Sequence, residues 1–297
     1  MRGFAKRFAP EPVRQIVRKR RMLNFRRNLL ALAETCLSSS KSRDREILRE
    51  SLTTFREHIG ERLGLWRYPT ASSDCVVDSK HTGRFFIRGG TDDLYHAIPG
   101  VEKAVEAAIR GRLKKGSTFV DGGANIGFYT ILAGHTVGLE GRVISVEMTP
   151  GTASVLRKNV ELNGLSGNVR VVEKALTDSA DDWIVIETIK GKMGQNKIAQ
   201  TTQHGNDGHI SEGAALKART ARLDTILADI ARVDLLKLDV EGAELMALEG
   251  ASGVLDRIDC IVFEDHTGTG PVANYLSDRG FKVEELDPRN FLAQKTD

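Results

Sequence analysis

A chain of 297 residues, 40% hydrophobic and 28% charged, has the composition of an ordinary globular protein with one sizeable core and a smaller appendage. No apolar stretch reaches the roughly 18 residues of a membrane span, and the N-terminus lacks the apolar centre of a secretory signal, so a soluble, cytoplasmic protein is expected. The net charge is only +3, yet ten Lys or Arg residues lie between Arg2 and Arg27 with Glu11 as the sole acid, which leaves the remainder mildly acidic.

Residues 1–60 read as a basic, mostly helical extension, broken near Ser38 to Ser42. Its apolar residues (Ile16, Val17, Leu23, Phe25, Leu29, Leu30, Leu32) suit docking on the main body. Clustered cations also suit an anionic membrane surface or nucleic acid. A transit peptide is a third reading, weakened by Glu11 and Glu34. Cys36, Cys75 and Cys260 form no C-x-x-C pair and no zinc-like spacing, so reduced thiols are expected.

Residues 61–117 form a mixed lead-in, with short strands at Cys75 to Val77 and Arg84 to Ile87 and a helix from Val101 to about Leu113. From 118 to 297 the pattern becomes regular. Buried strands are predicted at Thr118 to Val120, Arg142 to Val146, Val169 to Val172, Leu235 to Leu238 and Ile258 to Phe263. Helices fall between them at Ile126 to Val137, Gly151 to Asn163 and Ala243 to Leu248. Alternation of this kind indicates an α/β, Rossmann-like, doubly wound sheet. The stretch Gly191 to Ala214 has no periodicity and reads as a mobile loop over the ligand site.

In such a sheet, ligands bind where the first strand turns into its helix. The densest glycine run stands there: Asp121, Gly122, Gly123, Ala124, Asn125, Ile126, Gly127. Glycines at alternate positions, with Asn125 where a third would stand, suit a loop that needs positive φ or close approach. A dinucleotide fold also uses a glycine-rich first turn, but Asp121 would repel a pyrophosphate. An ammonium group would be welcome beside it, and a ligand carboxylate could take N–H groups at the helix start near Phe128, Tyr129 and Thr130. S-adenosylmethionine carries both. The second strand ends at Glu147, about 20 residues on, the spacing at which these folds hold a ribose diol. Met148 could lie against adenine, and Ala175 and Asp239 complete the candidate cofactor set.

Asp121 to Gly127, Glu147, the run Lys237-Leu238-Asp239-Val240-Glu241-Gly242-Ala243-Glu244 and Phe263-Glu264 together resemble the FkbM family of methyltransferases. The resemblance covers residues 95–290, and the Lys237 to Glu244 run is its most specific part. It implies a seven-stranded class I methyltransferase fold, S-adenosylmethionine as donor, and O-methylation of sugars or secondary metabolites. Glu147-Met148-Thr149-Pro150 departs from the family's E-P-x-P, which bears on the rim of the adenosine pocket.

Hydroxyl methylation needs in-line positioning and a base, or a metal ion to acidify the hydroxyl. The ends of strands four and five supply Asp239, Glu241, Glu264 and His266 as catalytic candidates. Asp239 and Glu264 are also candidate ligands for a divalent cation such as Mg²⁺. Glu244 and Glu241 have capping as a competing role, and Lys237, within an apolar strand, suits a buried ion pair. The expected acceptor is a small molecule or glycan. A nucleic-acid methyltransferase using the basic arm, and a non-catalytic S-adenosylmethionine-binding protein, are the alternatives. Acceptor identity and oligomeric state have no readable motif.

Overall fold

The computed structural model describes residues 23, 30–34, 41–57, 69–189, 191–199, 216–265 and 270–296. Most of the basic arm lies outside the described residues, so its three readings are carried no further. No helix among the described residues is long and apolar enough to cross a membrane.

After helix α1 (Ser42–Glu57), strands β1 (Cys75–Ser79) and β2 (Gly83–Ile87) form an antiparallel pair, followed by α2 (Asp93–His96) and α3 (Lys103–Arg112). The regular part is built from β3 (Thr118–Gly122), α4 (Phe128–Val137), β4 (Arg142–Val146), α5 (Pro150–Leu162) and β5 (Val169–Val172). It continues through α6 (Leu223–Ile226), β10 (Leu235–Leu238), α7 (Glu244–Glu249), β11 (Cys260–Glu264), α8 (Pro271–Ser277), β12 (Phe281–Glu285) and β13 (Asn290–Lys295). Seven of these strands make one sheet in the order β12-β13-β11-β10-β3-β4-β5, parallel except for β13, which runs antiparallel to both neighbours. The fold is the Rossmann-like α/β sheet expected from the sequence.

The central strands are mostly apolar because helices cover both faces. All four residues of β10 are buried, Lys237 included. From β3 the chain winds outward to β4 and β5, then returns to place β10 on the other side of β3. That reversal opens a crevice above the ends of β3 and β10, where ligands of such sheets bind.

The loop after β3 shows why its residues are needed. Gly123, Asn125 and Gly127 have φ of +78°, +51° and +97°. A Cβ on Gly123 would collide with the Asp239 carbonyl oxygen, so only glycine lets the loop lie against the end of β10.

A second sheet differs from expectation. Strands β6 (Ala175–Leu176), β7 (Trp183–Ile189), β8 (Lys192–Ile198) and β9 (Leu216–Ala221) pair in the order β6-β9-β7-β8. The stretch from Gly191 that reads as a loop is therefore strand β8 as far as Ile198, held by antiparallel pairing to β7. Its sequence, KMGQNKI, has no alternation because partner backbone rather than a buried apolar face holds it. Residues 200–215 lie outside the described residues.

The lead-in hairpin is stapled to α5 by two asparagines. Asn159 is fully buried; its Oδ1 accepts the Phe86 N–H at 2.7 Å, and its Nδ2 donates to the Ile126 carbonyl at 2.8 Å. Asn163 accepts the Arg84 N–H at 2.8 Å and returns a bond to the Arg84 carbonyl at 2.7 Å. Asn159→Ala leaves a buried carbonyl and a strand N–H without partners and opens a small void. A loss of about 3 kcal/mol in urea unfolding is expected, and a loss below about 1 kcal/mol would remove Asn159 as the staple.

Candidate active site

A cavity of about 560 Å³ opens over the ends of β3, β4 and β10. Three elements outside the central sheet wall it: the segment around His96 and Glu102, strand β8 from Met193 to Asn196, and the turn Asp287 to Asn290 between β12 and β13.

Of the residues singled out from sequence, Gly123, Ala124, Asn125, Phe128, Tyr129, Glu147, Met148, Asp239, Glu241 and Glu264 line this cavity. Asp121, Gly122, Gly127, Thr130 and Ala175 lie behind its wall. His266 falls outside the described residues. Asp121, read as an open partner for an ammonium group, is instead buried beneath the loop, its Oδ2 accepting the Thr130 hydroxyl at 2.7 Å. Thr130 is linked in turn to Ser145 at 2.8 Å, so its hydroxyl ties strands β3 and β4 to α4.

Glu147 ends β4 as a second acidic post. Its Oε2 accepts the Asn125 N–H at 3.0 Å and its Oε1 the Thr149 N–H at 2.8 Å, so the carboxylate fixes the loop while facing the cavity. Burial raises its pKa, and the two backbone donors oppose that rise.

Lys237 is the electrostatic centre. Its Nζ is 3.3 Å from Asp239 Oδ2, 3.9 Å from Asp121 Oδ1, and 5.2 Å from the centroid of the Tyr129 ring. Burial would lower its pKa, but Asp239, Asp121 and Glu102 outweigh burial and hold the ammonium charged. The ion-pair reading of this residue holds.

The carboxyls at the strand ends divide the protons among themselves. Burial would raise Asp239, but Lys237 and a hydrogen bond with Glu264 hold it below the ordinary carboxylate range. Glu264 is pushed up to about 9 by burial and by Asp239, against Arg289 at 3.2 Å, so it carries the proton that the pair shares. Glu241, at φ +54°, is raised to about 7 by burial and by Asp239. Glu244 braces the turn that leads into its helix, its Oε1 accepting the Val240 and Gly242 N–H groups at 3.0 and 3.2 Å. Among the described residues no group of three or more His, Cys, Asp or Glu side chains is placed to hold a metal ion. Asp239 and Glu264 bond to each other instead, and a divalent cation is not supported.

Sequence reasoning missed Glu102 and His96. Glu102 Oε2 accepts the Tyr129 hydroxyl at 2.9 Å, and burial followed by Asp239 raises its pKa. Neither stands in a motif, although Asp92 and His96 at i and i+4 are a readable helical pair.

The methyltransferase FkbM domain matches residues 121–283, more than half of the chain. The chain belongs to this family. It is accordingly an S-adenosylmethionine-dependent methyltransferase. Methyltransferase sdnD of Sordaria araneosa is 24% identical over 190 residues, spanning 55% of this chain and 73% of that protein. Methyltransferase 1 of Beauveria bassiana is 29% identical over 185 residues, spanning 56% and 73%. Among solved structures, a precorrin-6y C5,15-methyltransferase from Geobacter metallireducens aligns with a TM-score of 0.41 and 18% identity, covering 64% of this chain and 88% of that one. His96 and Glu102 precede the matched domain, so this FkbM site is completed from outside it.

Lys237→Met strands the carboxylates that now share one cation. The variant is expected to lose about 3–5 kcal/mol near neutral pH by urea unfolding. Asp239, whose pKa is depressed by folding, contributes stability above the ordinary carboxylate range and loses it as pH falls. The parent and variant stability curves should therefore converge as pH falls below about 4, and a gap constant with pH would refute the charge account.

Proposed function

We propose that this FkbM methyltransferase transfers the methyl group to a hydroxyl oxygen of a sugar, glycan or secondary metabolite. The observation that carries this is the pair of carboxyls at the strand ends: Asp239 and Glu264 share a hydrogen bond on the cavity wall, with Lys237 holding Asp239 low and burial and Asp239 holding Glu264 high. The first can accept a hydrogen bond from an alcohol and the second can donate one to a neighbouring oxygen, which suits a polyhydroxylated acceptor. Of the three carboxyls named from sequence, only Glu241 has a basicity near neutrality.

The residues present fit the donor. The cavity volume lies within the range of cofactor sites, and the Gly123 close approach bares loop backbone to it. Glu147 spends one lone pair of each oxygen on the loop and keeps others for a ribose diol. The first N–H groups of α4, behind Gly127, suit the donor's carboxylate. Asp121 would act on the ammonium only through the field it shares with Lys237 and Asp239. Bound S-adenosylmethionine supplies the activated methyl group, and the protein supplies position and charge.

Three measurements test this reading. Glu147→Ala should weaken S-adenosylmethionine binding at least tenfold by calorimetry, and an unchanged affinity would remove Glu147 from the ribose site. Incubation with methyl-labelled S-adenosylmethionine and fractionated cell extract should label a carbohydrate or metabolite fraction through an alkali-stable ether. Label confined to nucleic acid would overturn the acceptor class. Asp239→Asn should bind the donor as the parent does while turning over at least 100-fold more slowly.

A further inference from the structure

Asp92 and His96 stand four residues apart and share one face of the turn formed by α2. Nε2 of His96 is 3.5 Å from Oδ2 of Asp92. That carboxylate is itself fixed: it is buried, and its Oδ1 accepts the Met193 N–H of β8 at 2.8 Å. Tyr95 packs edge-on against the imidazole with ring centroids 5.4 Å apart. Gly194, next on β8, closes over the ring, and a Cβ there would collide with Nε2 and crowd the Asn125 amide. The imidazole is thus boxed between α2 and the inserted hairpin, and it lines the same cavity as Glu102, Asp239 and Glu241. With Nε2 turned to Asp92, Nδ1 is the nitrogen left to receive a proton.

We propose that His96 is the catalytic base of the transfer, taking the acceptor's hydroxyl proton on Nδ1 while Asp92 holds Nε2–H. This rests on the reading of the acceptor as a hydroxyl. The acceptor oxygen forms its bond to the methyl carbon as the methyl–sulfur bond breaks, the bonding pair remains on sulfur, and the hydroxyl proton passes to His96. One positive charge therefore leaves sulfur as one appears on imidazole. Carboxylates already surround the cavity, so the same field that favours a sulfonium also favours the imidazolium. Proton transfer to Glu241 would cancel a cation against an anion and forfeit that attraction.

The groups facing His96 set the sign of its pH dependence. From its own turn come Asp92 and Asp93, from the following segment Glu102, and from the end of β10 Asp239 and Glu241. Burial alone would lower its pKa, but Asp92, Glu102 and Asp93 outweigh burial and hold it above the ordinary imidazole value of about 6.5. A base must be neutral to act, so turnover should fall as pH drops through that raised pKa.

The test has two arms on the full chain. In the first, long-range ¹H–¹⁵N correlation of the parent saturated with S-adenosylhomocysteine should find His96 as the Nε2–H tautomer, titrating above about 6.5. An Nδ1–H tautomer, or titration at or below that value, would overturn the proposal without any acceptor. In the second, the extract fraction labelled by the parent is the acceptor for His96→Gln, Asp92→Asn and Glu241→Gln. His96→Gln should lose at least about 100-fold in kcat and lose the acid limb, with S-adenosylmethionine affinity within about twofold of the parent. Asp92→Asn should move that limb to lower pH, and Glu241→Gln should keep it. Near-parental turnover of His96→Gln, or loss of the acid limb in Glu241→Gln alone, would refute His96 as the base. If His96→Gln loses donor affinity as well, Asp92→Asn decides: a limb that stays in place refutes the dyad. A parent that binds donor yet labels no fraction contradicts the reading of the reaction instead, and the tautomer still decides whether the base exists.

Discussion

One buried ammonium organises this site. Lys237 sits at the floor of the cavity, within 4 Å of Asp239 and Asp121 and within electrostatic reach of Glu102. Its position follows from sheet geometry: β10 lies beside β3, so Lys237 is level with Asp121 in the parallel register and two residues before Asp239. A lone charge at that depth would be prohibitively costly, and so would two carboxylates without a cation. Each is tolerable because the others are present. The cluster therefore depends on the β3–β10 pairing, and the β3–β10 pairing brings the glycine loop against the Asp239 backbone.

From that cluster the proton arrangement spreads outward. Lys237 keeps Asp239 ionised, while burial first and then the Asp239 charge raise Glu264 to about 9 and Glu241 to about 7. Burial and one cation together thus impose an ordered set of basicities on carboxyls that are chemically alike. Placing them on strand ends and tight turns, as at Glu241 with φ +54°, gives each a fixed aim that a mobile loop would not.

The sequence was legible where structure is local. Strands Arg142–Val146, Val169–Val172 and Leu235–Leu238 have the bounds that their apolar runs predict, because burial on both faces leaves a continuous signal. Asn125 at positive φ was readable for the same reason, since backbone conformation selects residue type at one position. What escaped depends on distant pairing. Strand β8 carries Gly, Gln, Asn and Lys and owes its order to β7; Glu102 matters only because Tyr129 and Asp239 come to it across the fold. Asp121 was read as open to an ammonium group but lies buried beneath the loop, because a strand-end acid looks alike in sequence whether it turns to ligand or to lysine.

Legibility did not follow the border of the common sheet: the lead-in strands Cys75–Ser79 and Gly83–Ile87 and the helix Lys103–Arg112 stand where the sequence predicts them, whereas β8, β12 and β13 escaped. The lead-in segment, the β7–β8 hairpin and the β12–β13 turn each contribute one wall of the cavity. The lead-in segment joins Phe85, Ile87, Leu94 and Ile98 to Ile131 and Leu156 of α4 and α5 in one apolar cluster, and polar contacts set the direction of each wall: Asn159 to Phe86 and Ile126, Asp92 to Met193, and Arg289 to Glu264. A polar fastening fixes direction but tolerates changes of length and sequence between its ends. The field around Lys237 belongs to the sheet, and the shape presented to the acceptor belongs to what is pinned around it.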